Sequence, residues 1–207
     1  ALAGADRVIA VAGALRDVAV RLGVPPGRAA VIGNGVDVAR FAPVPRAEAR
    51  RALGLPHDAP VLVSVGTLVE RKGFHRVIEL LPALRQKHPG LVYLVVGGSG
   101  PEGDMSAELR AQVAALGLGD AVRFLGALAP DALNGPLSAA DVFVLATRNE
   151  GWANVFLEAM ACGLPVVTTD VGGNAEVVCR PDLGRVVPFG DASALVGAID
   201  AALGTDW

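Results

Sequence analysis

The chain has 207 residues, 52% of them apolar, a length of roughly one to one and a half domains with enough apolar side chain for a real core. A net charge of −3 and an aromatic content of 4% provide neither a basic field for a phosphate backbone nor a stacking surface for bases, so no nucleic-acid partner is expected. The 26 glycines and 14 prolines are unevenly scattered without a repeat period, which excludes a low-complexity chain and a solenoid.

The apolar start carries Asp6, Arg7, Arg16 and Asp17, so it reads neither as a spanning helix nor as a signal peptide. A helix near 12–22, a short strand at 29–32 and the turn-rich stretch Gly33-Asn34-Gly35-Val36-Asp37 follow. Residues 1–45 do not fit the pattern of the rest and are expected to be the end of a preceding domain plus its connection, the chain being a piece of a longer protein. A short helix ending at Gly54, then Pro56, leads into a second unit, 46–207.

From residue 60 the pattern is regular. Strands are predicted at 61–65, 92–96, 122–125, 141–145, 165–169 and 185–189, as near-continuous Val, Leu, Ile and Phe runs. Strands without polar alternation are covered on both faces, which favours a parallel sheet. Amphipathic segments alternate with them at 74–88, 106–117, 129–140, 154–163, 174–178 and 192–203. Six βα units with short loops predict an α/β fold, a Rossmann-like doubly wound parallel sheet.

In such a sheet ligands bind beyond the carboxyl ends of the strands. Glycine-bearing loops stand there at Gly66–Gly73, Gly97–Pro101, Thr147–Asn154 and Asp170–Asn174. Glycines let a ligand approach the backbone, and a helix start presents free amides to an anion. Gly151 supplies the turn before a helix, Asn154 is the expected N-cap, and the Val155 and Phe156 amides are expected to face the anion. Lys72, one of two lysines with Lys87, can add a full charge from the first loop. Glu150 and Glu158 would repel a phosphate, so they are assigned to hydroxyl groups, the carboxylate accepting two hydrogen bonds from a diol. A solvated loop charge at Lys72 or Glu150, and a helix-start charge at Glu158, are the bland readings of the same residues.

Other chemistries lack their residues. There is no GxxxxGK[ST], no GxSxG with partners, and Gly97-Gly98-Ser99-Gly100 is not GxGxxG. Cys162 and Cys179, with His57, His75 and His88, have no metal-ligand spacing, so neither a metal nor a cofactor is expected. The two cysteines read as thiols of a reducing compartment, and the chain as cytoplasmic.

Glu150 through Val167, EGWANVFLEAMACGLPVV, resembles the E-x7-E block of retaining family 4 glycosyltransferases of the GT-B fold. The similarity extends to the turn Asn34–Asp37, the Gly66–Gly73 loop, VGGSGP and VGGNAEVV, and so across nearly the whole chain. The resemblance implies the C-terminal, donor-binding half of a two-domain enzyme. The nucleotide-sugar donor would be one partner and an N-terminal acceptor-binding domain another. Residues 1–45 would be the end of that domain, membrane contact would come only through it, and the final crossover helix would lie beyond Trp207. This piece alone is then expected not to turn over.

By the same resemblance Lys72 would neutralise the donor diphosphate, Glu158 would hold the ribose, and Glu150 would face the transferred sugar. Gly66, Thr67, Gly97, Gly98, Gly151, Trp152, Ala153, Asn154 and Val155 would line the donor, with the backbone near Arg123 and Phe124 bordering the base. Catalysis in the family is mostly positioning and electrostatic stabilisation. Two positions depart from the pattern. Thr67 stands where an arginine is common, a loss of about 1.5–3 kcal/mol toward a diphosphate unless Arg71 or Arg148 replaces it. Gly33 stands where a proline often precedes the turn, which is expected to loosen the connection. Two other functions use similar parts: a non-catalytic nucleotide-sugar-binding module, and an NAD-dependent Rossmann oxidoreductase. The missing GxGxxG after the first strand counts against the oxidoreductase.

Overall fold

The computed structural model describes residues 4–207; residues 1–3 of the expected 1–45 unit lie outside the described residues. Six strands, β3 (Val61–Val65), β4 (Val92–Val96), β5 (Val122–Gly126), β6 (Val142–Leu145), β7 (Val166–Thr169) and β8 (Gly184–Val187), form one parallel sheet in the order β5-β4-β3-β6-β7-β8. All residues of β3, β4, β6 and β7 are buried, which is why their sequences carry no polar alternation.

Alternate strand residues feed two cores. Leu62, Tyr93, Val95, Val142 and Val144 pack against α3 (Phe74–Lys87), α4 (Ser106–Ala115) and α8 (Ala192–Leu203). On the other face, Val61, Val63, Leu94, Phe143 and Leu145 pack against α2 (Arg46–Ala52), α5 (Asn134–Ala139) and α6 (Asn154–Ala161). A side-chain period of two between facing helical layers produces this division. The predicted helix over 129–140 is instead a 3-10 turn, Pro130–Ala132, followed by the short α5.

The chain leaves β3 toward β4 on one side and leaves β6 toward β7 on the other. Between the carboxyl ends of these two central neighbours the loops diverge, opening the crevice that doubly wound sheets use for ligands.

Ahead of this sheet, β1 (Val8–Ala10) and β2 (Ala29–Val31) pair in parallel around α1 (Gly13–Arg21). The strand at Val8–Ala10 is absent from the sequence-based expectation. Ile9, Leu22 and Ile32 of this segment are exposed apolar residues. Its connection to the main sheet is tight, contrary to the expectation at Gly33. A Cβ on Gly33 would lie 2.9 Å from Trp152 Cη2, so the missing side chain makes room for the indole. Asn34 Nδ2 also donates to Asn154 Oδ1 at 2.8 Å.

The amino end of the sheet holds a cavity of about 580 Å³, lined by Arg46, Arg50, His57, Asp58 and Asp141 among others. Its charges are satisfied internally. Asp141 accepts from Arg46, from Arg50 Nη2 at 2.9 Å and from the Val61 amide at 2.8 Å, while buried Arg50 also donates to the Ala139 and His57 carbonyls. This network fastens α2 to the starts of β3 and β6 and is a structural ion cluster.

Candidate functional site

The crevice at the carboxyl end is built by four loops held against one another. The Gly66 amide donates to Val96 O at 3.0 Å, Leu68 to Gly98 O at 2.8 Å, and Met105 to Leu68 O at 2.7 Å, binding the loop after β3 to the loop after β4. The Arg71 carbonyl accepts from the Arg148 amide at 2.7 Å and from Thr147 Oγ1 at 2.9 Å, binding it to the loop after β6. Two left-handed glycines permit close approaches between the loops. Gly73 has φ +76° and Gly172 has φ +56°; a Cβ would overlap the Ala146 carbonyl oxygen at the first and the Glu150 carbonyl oxygen at the second.

A pocket of about 330 Å³ results, lined by Val65, Gly66, Thr67, Arg71, Lys72, Glu150, Trp152, Ala153, Asn154, Val155 and Glu158. A second pocket of about 220 Å³ shares Val65, Gly66 and Thr67 and continues along Val96, Gly97, Gly98, Ser99, Ala127, Leu128 and Leu133. The pair forms one trough, charged at one end and mainly apolar at the other. The larger amino-end cavity lies at the wrong end of a parallel sheet for a ligand and has its charges paired, so the smaller trough is the candidate site.

Glu150 stands at the centre of the charged end. Its side chain is only 8% exposed and its Oε1 accepts from Lys72 Nζ, with Arg71 Nη1 at 3.5 Å. Arg71 is oriented from its other side by Glu102, through Nε to Oε2 at 2.6 Å and Nη2 to Oε1 at 2.7 Å. That pairing holds the guanidinium above its ordinary pKa, first through the hydrogen bonds to Glu102. Two cations therefore meet one buried carboxylate. Neither Glu150 nor Lys72 is the solvated loop charge of the bland reading.

Next to them α6 begins without a side-chain cap. The expected N-cap Asn154 is instead the first helical residue, Ala153 occupies the cap, and the Asn154 side chain is engaged by Asn34. The Phe156 amide, expected to face an anion, donates to Ala153 O at 3.0 Å. Among the described residues the Val155 amide has no protein acceptor, so the helix start retains an anion-binding donor. Glu158, one turn along, lines the same pocket; burial raises its pKa and Arg40 offsets part of that rise.

The structure thus brings Gly66, Thr67, Lys72, Gly97, Gly98, Glu150, Trp152, Ala153, Asn154, Val155 and Glu158 to one trough. Gly151 sits in the same loop, with the methyl of Leu15 at 3.2 Å from where its Cβ would be. Arg123 and Phe124 stand outside the trough. Arg123 Nη1 donates to Leu53 O at 2.8 Å and Gly54 O at 3.1 Å, and the Phe124 ring packs beneath the Arg110 guanidinium at 4.3 Å. β5 reaches the trough through Ala127 and Leu128, just beyond its last residue. Arg71 lines the pocket although sequence reasoning named it only as a substitute for the missing arginine at 67; its clamp by Glu102, 31 residues away, has no local sequence signal.

Among the described residues no three His, Cys, Asp or Glu side chains are grouped to hold a metal ion, and no helix is long and apolar enough to cross a membrane.

Residues 45–205 match the model of the family "Glycosyl transferases group 1", and residues 1–40 match that of "Glycosyltransferase Family 4". A D-inositol 3-phosphate glycosyltransferase of Acidothermus cellulolyticus is 38% identical over 186 residues, covering 87% of this chain and 42% of the relative. Sucrose-phosphate synthase from Thermosynechococcus elongatus superposes with a TM-score of 0.84 at 35% identity, covering 98% of this chain and 50% of that one. HepE of Anabaena in complex with UDP-glucose gives 0.84 at 30% identity, covering 96% and 54%. The chain spans about half the length of these proteins, and its Rossmann-like sheet is that of GT-B glycosyltransferases.

Proposed function

The chain belongs to the glycosyl transferases group 1 family, and on that premise we propose that it forms the donor-binding side of an enzyme transferring a sugar from a nucleoside diphosphate to an acceptor, with retention of anomeric configuration. The observation that carries this reading is the convergence of Lys72 and Arg71 on Glu150 beside the uncapped start of α6. The similar HepE of Anabaena, in complex with UDP-glucose, supports the same class of donor.

In this reading the diphosphate lies between Lys72, Arg71 and the Val155 amide, three donors from two loops. Arg71 supplies the charge that Thr67 lacks, already turned toward the pocket by Glu102. The apolar end of the trough, between Gly97-Gly98 and Ala127-Leu128, takes the base. Glu158 accepts from the ribose hydroxyls, and Glu150 faces the sugar while neutralising the cations until the diphosphate arrives. As the bond from the anomeric carbon to the diphosphate oxygen breaks, negative charge grows on that oxygen. The fixed cations stabilise it there without reorganising, which is how such a site accelerates transfer. The acceptor enters from the side of β1, α1 and β2, the segment matching the Family 4 model.

Glu158 makes the reading testable by pH. Burial raises its pKa, so the folded state binds this proton more tightly than the unfolded chain; the ionised form costs stability above the raised value, and that cost is relieved as pH falls through it. Ribose binding needs the ionised acceptor, so affinity moves the opposite way. Calorimetric titrations with the nucleoside diphosphate from pH 7 down to 5 are expected to show weakening that is steeper in the unsubstituted chain than in Glu158→Gln. Parallel pH profiles would remove Glu158 from the ribose.

A further inference from the structure

Helix α1 has no cap of its own. Its N-cap is Ala12, with no side-chain acceptor, whereas α8 is capped locally by Asp191. The orphan amides at the start of α1 are taken from across the chain: Glu176 Oε2 accepts from Gly13 N at 2.8 Å and Oε1 from Ala14 N at 3.2 Å. A carboxylate on two free amides also faces the positive end of the helix dipole.

Glu176 lies in the short helix α7 (Asn174–Val177), and the loop that leads from β7 into it touches the candidate site directly. Gly172 packs on the Glu150 carbonyl, where no Cβ would fit. A Cβ on Gly173 would lie 2.6 Å from Gly151 O and 2.8 Å from Ala12 Cβ, with Trp152 Cε3 at 3.4 Å. The start of α1 and the stretch Glu150-Gly151-Trp152 are therefore two neighbours of one loop, and Glu176, in the helix that this loop opens, is the polar tie to α1.

We infer that Glu176 is a positioning residue: by clipping the first turn of α1 to α7 and the loop that opens it, it docks the β1-α1-β2 segment on the main sheet and fixes the wall formed by Gly151 and Trp152. The clip and the docking are independent of the proposed function; only the consequence for sugar transfer rests on that reading. Asn174, the first residue of α7, ties that helix to the end of β7, its Nδ2 donating to Thr168 Oγ1 at 3.1 Å and Thr169 O at 3.0 Å, so motion freed by losing Glu176 falls on the α1 side.

The test is hydrogen exchange by mass spectrometry on this chain, with Trp152 emission read in a Trp207→Phe background, since the chain has 2 tryptophans. Glu176→Ala is expected to speed exchange over 13–21 by about five- to tenfold, the loss of a helix cap, while leaving 61–65 and 92–96 unchanged. It is also expected to shift Trp152 emission to the red, and Glu176→Gln, which keeps a carbonyl acceptor, to restore most of both effects. Unchanged exchange over 13–21 would overturn the clip, and uniform acceleration across the chain would reduce it to general stability. Faster exchange with unmoved emission would overturn the positioning role. Failure of the unsubstituted chain to bind any nucleoside diphosphate would instead sink the donor reading and leave these results standing.

Discussion

Lys72→Met is expected to lower nucleoside-diphosphate affinity by about 100-fold while leaving the fold intact. Lys72 offers charge-assisted hydrogen bonds to the diphosphate, each worth about 1.5–3 kcal/mol, and tenfold in affinity is about 1.4 kcal/mol. A second effect acts in the same direction. Without Lys72, Glu150 keeps only Arg71 at 3.5 Å, itself shared with Glu102, and its largely buried charge then faces the incoming phosphates. The double substitution Lys72→Met with Glu150→Gln removes that repulsion and is expected to recover about tenfold, because neighbouring charges are not additive. Titration calorimetry on the three variants separates the two contributions. Equal affinity for Lys72→Met and the unsubstituted chain would mean that the diphosphate is held elsewhere.

Gly172→Ala is expected to have the largest effect on stability of any single methyl addition at the crevice. The residue sits at φ +56°, a conformation that L residues adopt at a cost, and its Cβ would overlap the Glu150 carbonyl oxygen. Backbone strain and overpacking together amount to about 3–5 kcal/mol, or about 10 °C in melting temperature for a chain of this size. Gly163→Ala is the control, since its φ is +84° and nothing stands within 4 Å of the added Cβ. It carries only the left-handed cost, about 1–2 kcal/mol. Because the Gly172 clash lands on Glu150, nucleotide affinity is expected to fall in that variant below its melting transition, and to be retained in the control. Equal melting temperatures for the two variants would refute the packing argument.

The parts of this molecule that were legible in its sequence are those governed by burial on both faces. The runs at 61–65 and 92–96 are predicted to the residue because every side chain in them faces a helical layer. Val8–Ala10 carries no strand signal in the sequence because three residues with exposed Ile9 make no pattern, and only pairing with β2 makes them a strand. At 129–140 the sequence has helix-forming content, but the chain turns tightly at Pro130 before α5 begins. In the site, Lys72, Glu150 and Glu158 were visible from loop position and resemblance. Their arrangement was not, since Lys72 and Glu150 are 78 residues apart and nothing local couples them. Asn154 shows the limit of local rules: it has the right residue type for a cap, and Asn34, 120 residues away, takes its side chain instead. Glu176 lay within a recognised motif but without a role, because its partners are backbone amides, which carry no side-chain signal.

The most direct test of the donor site is calorimetric titration of the chain with UDP, GDP, ADP and NADH in turn. The geometry of Lys72, Arg71 and the start of α6 predicts saturable binding of a nucleoside diphosphate, with one base preferred and NADH not bound. Binding of NADH alone, or of none of the four, would contradict it.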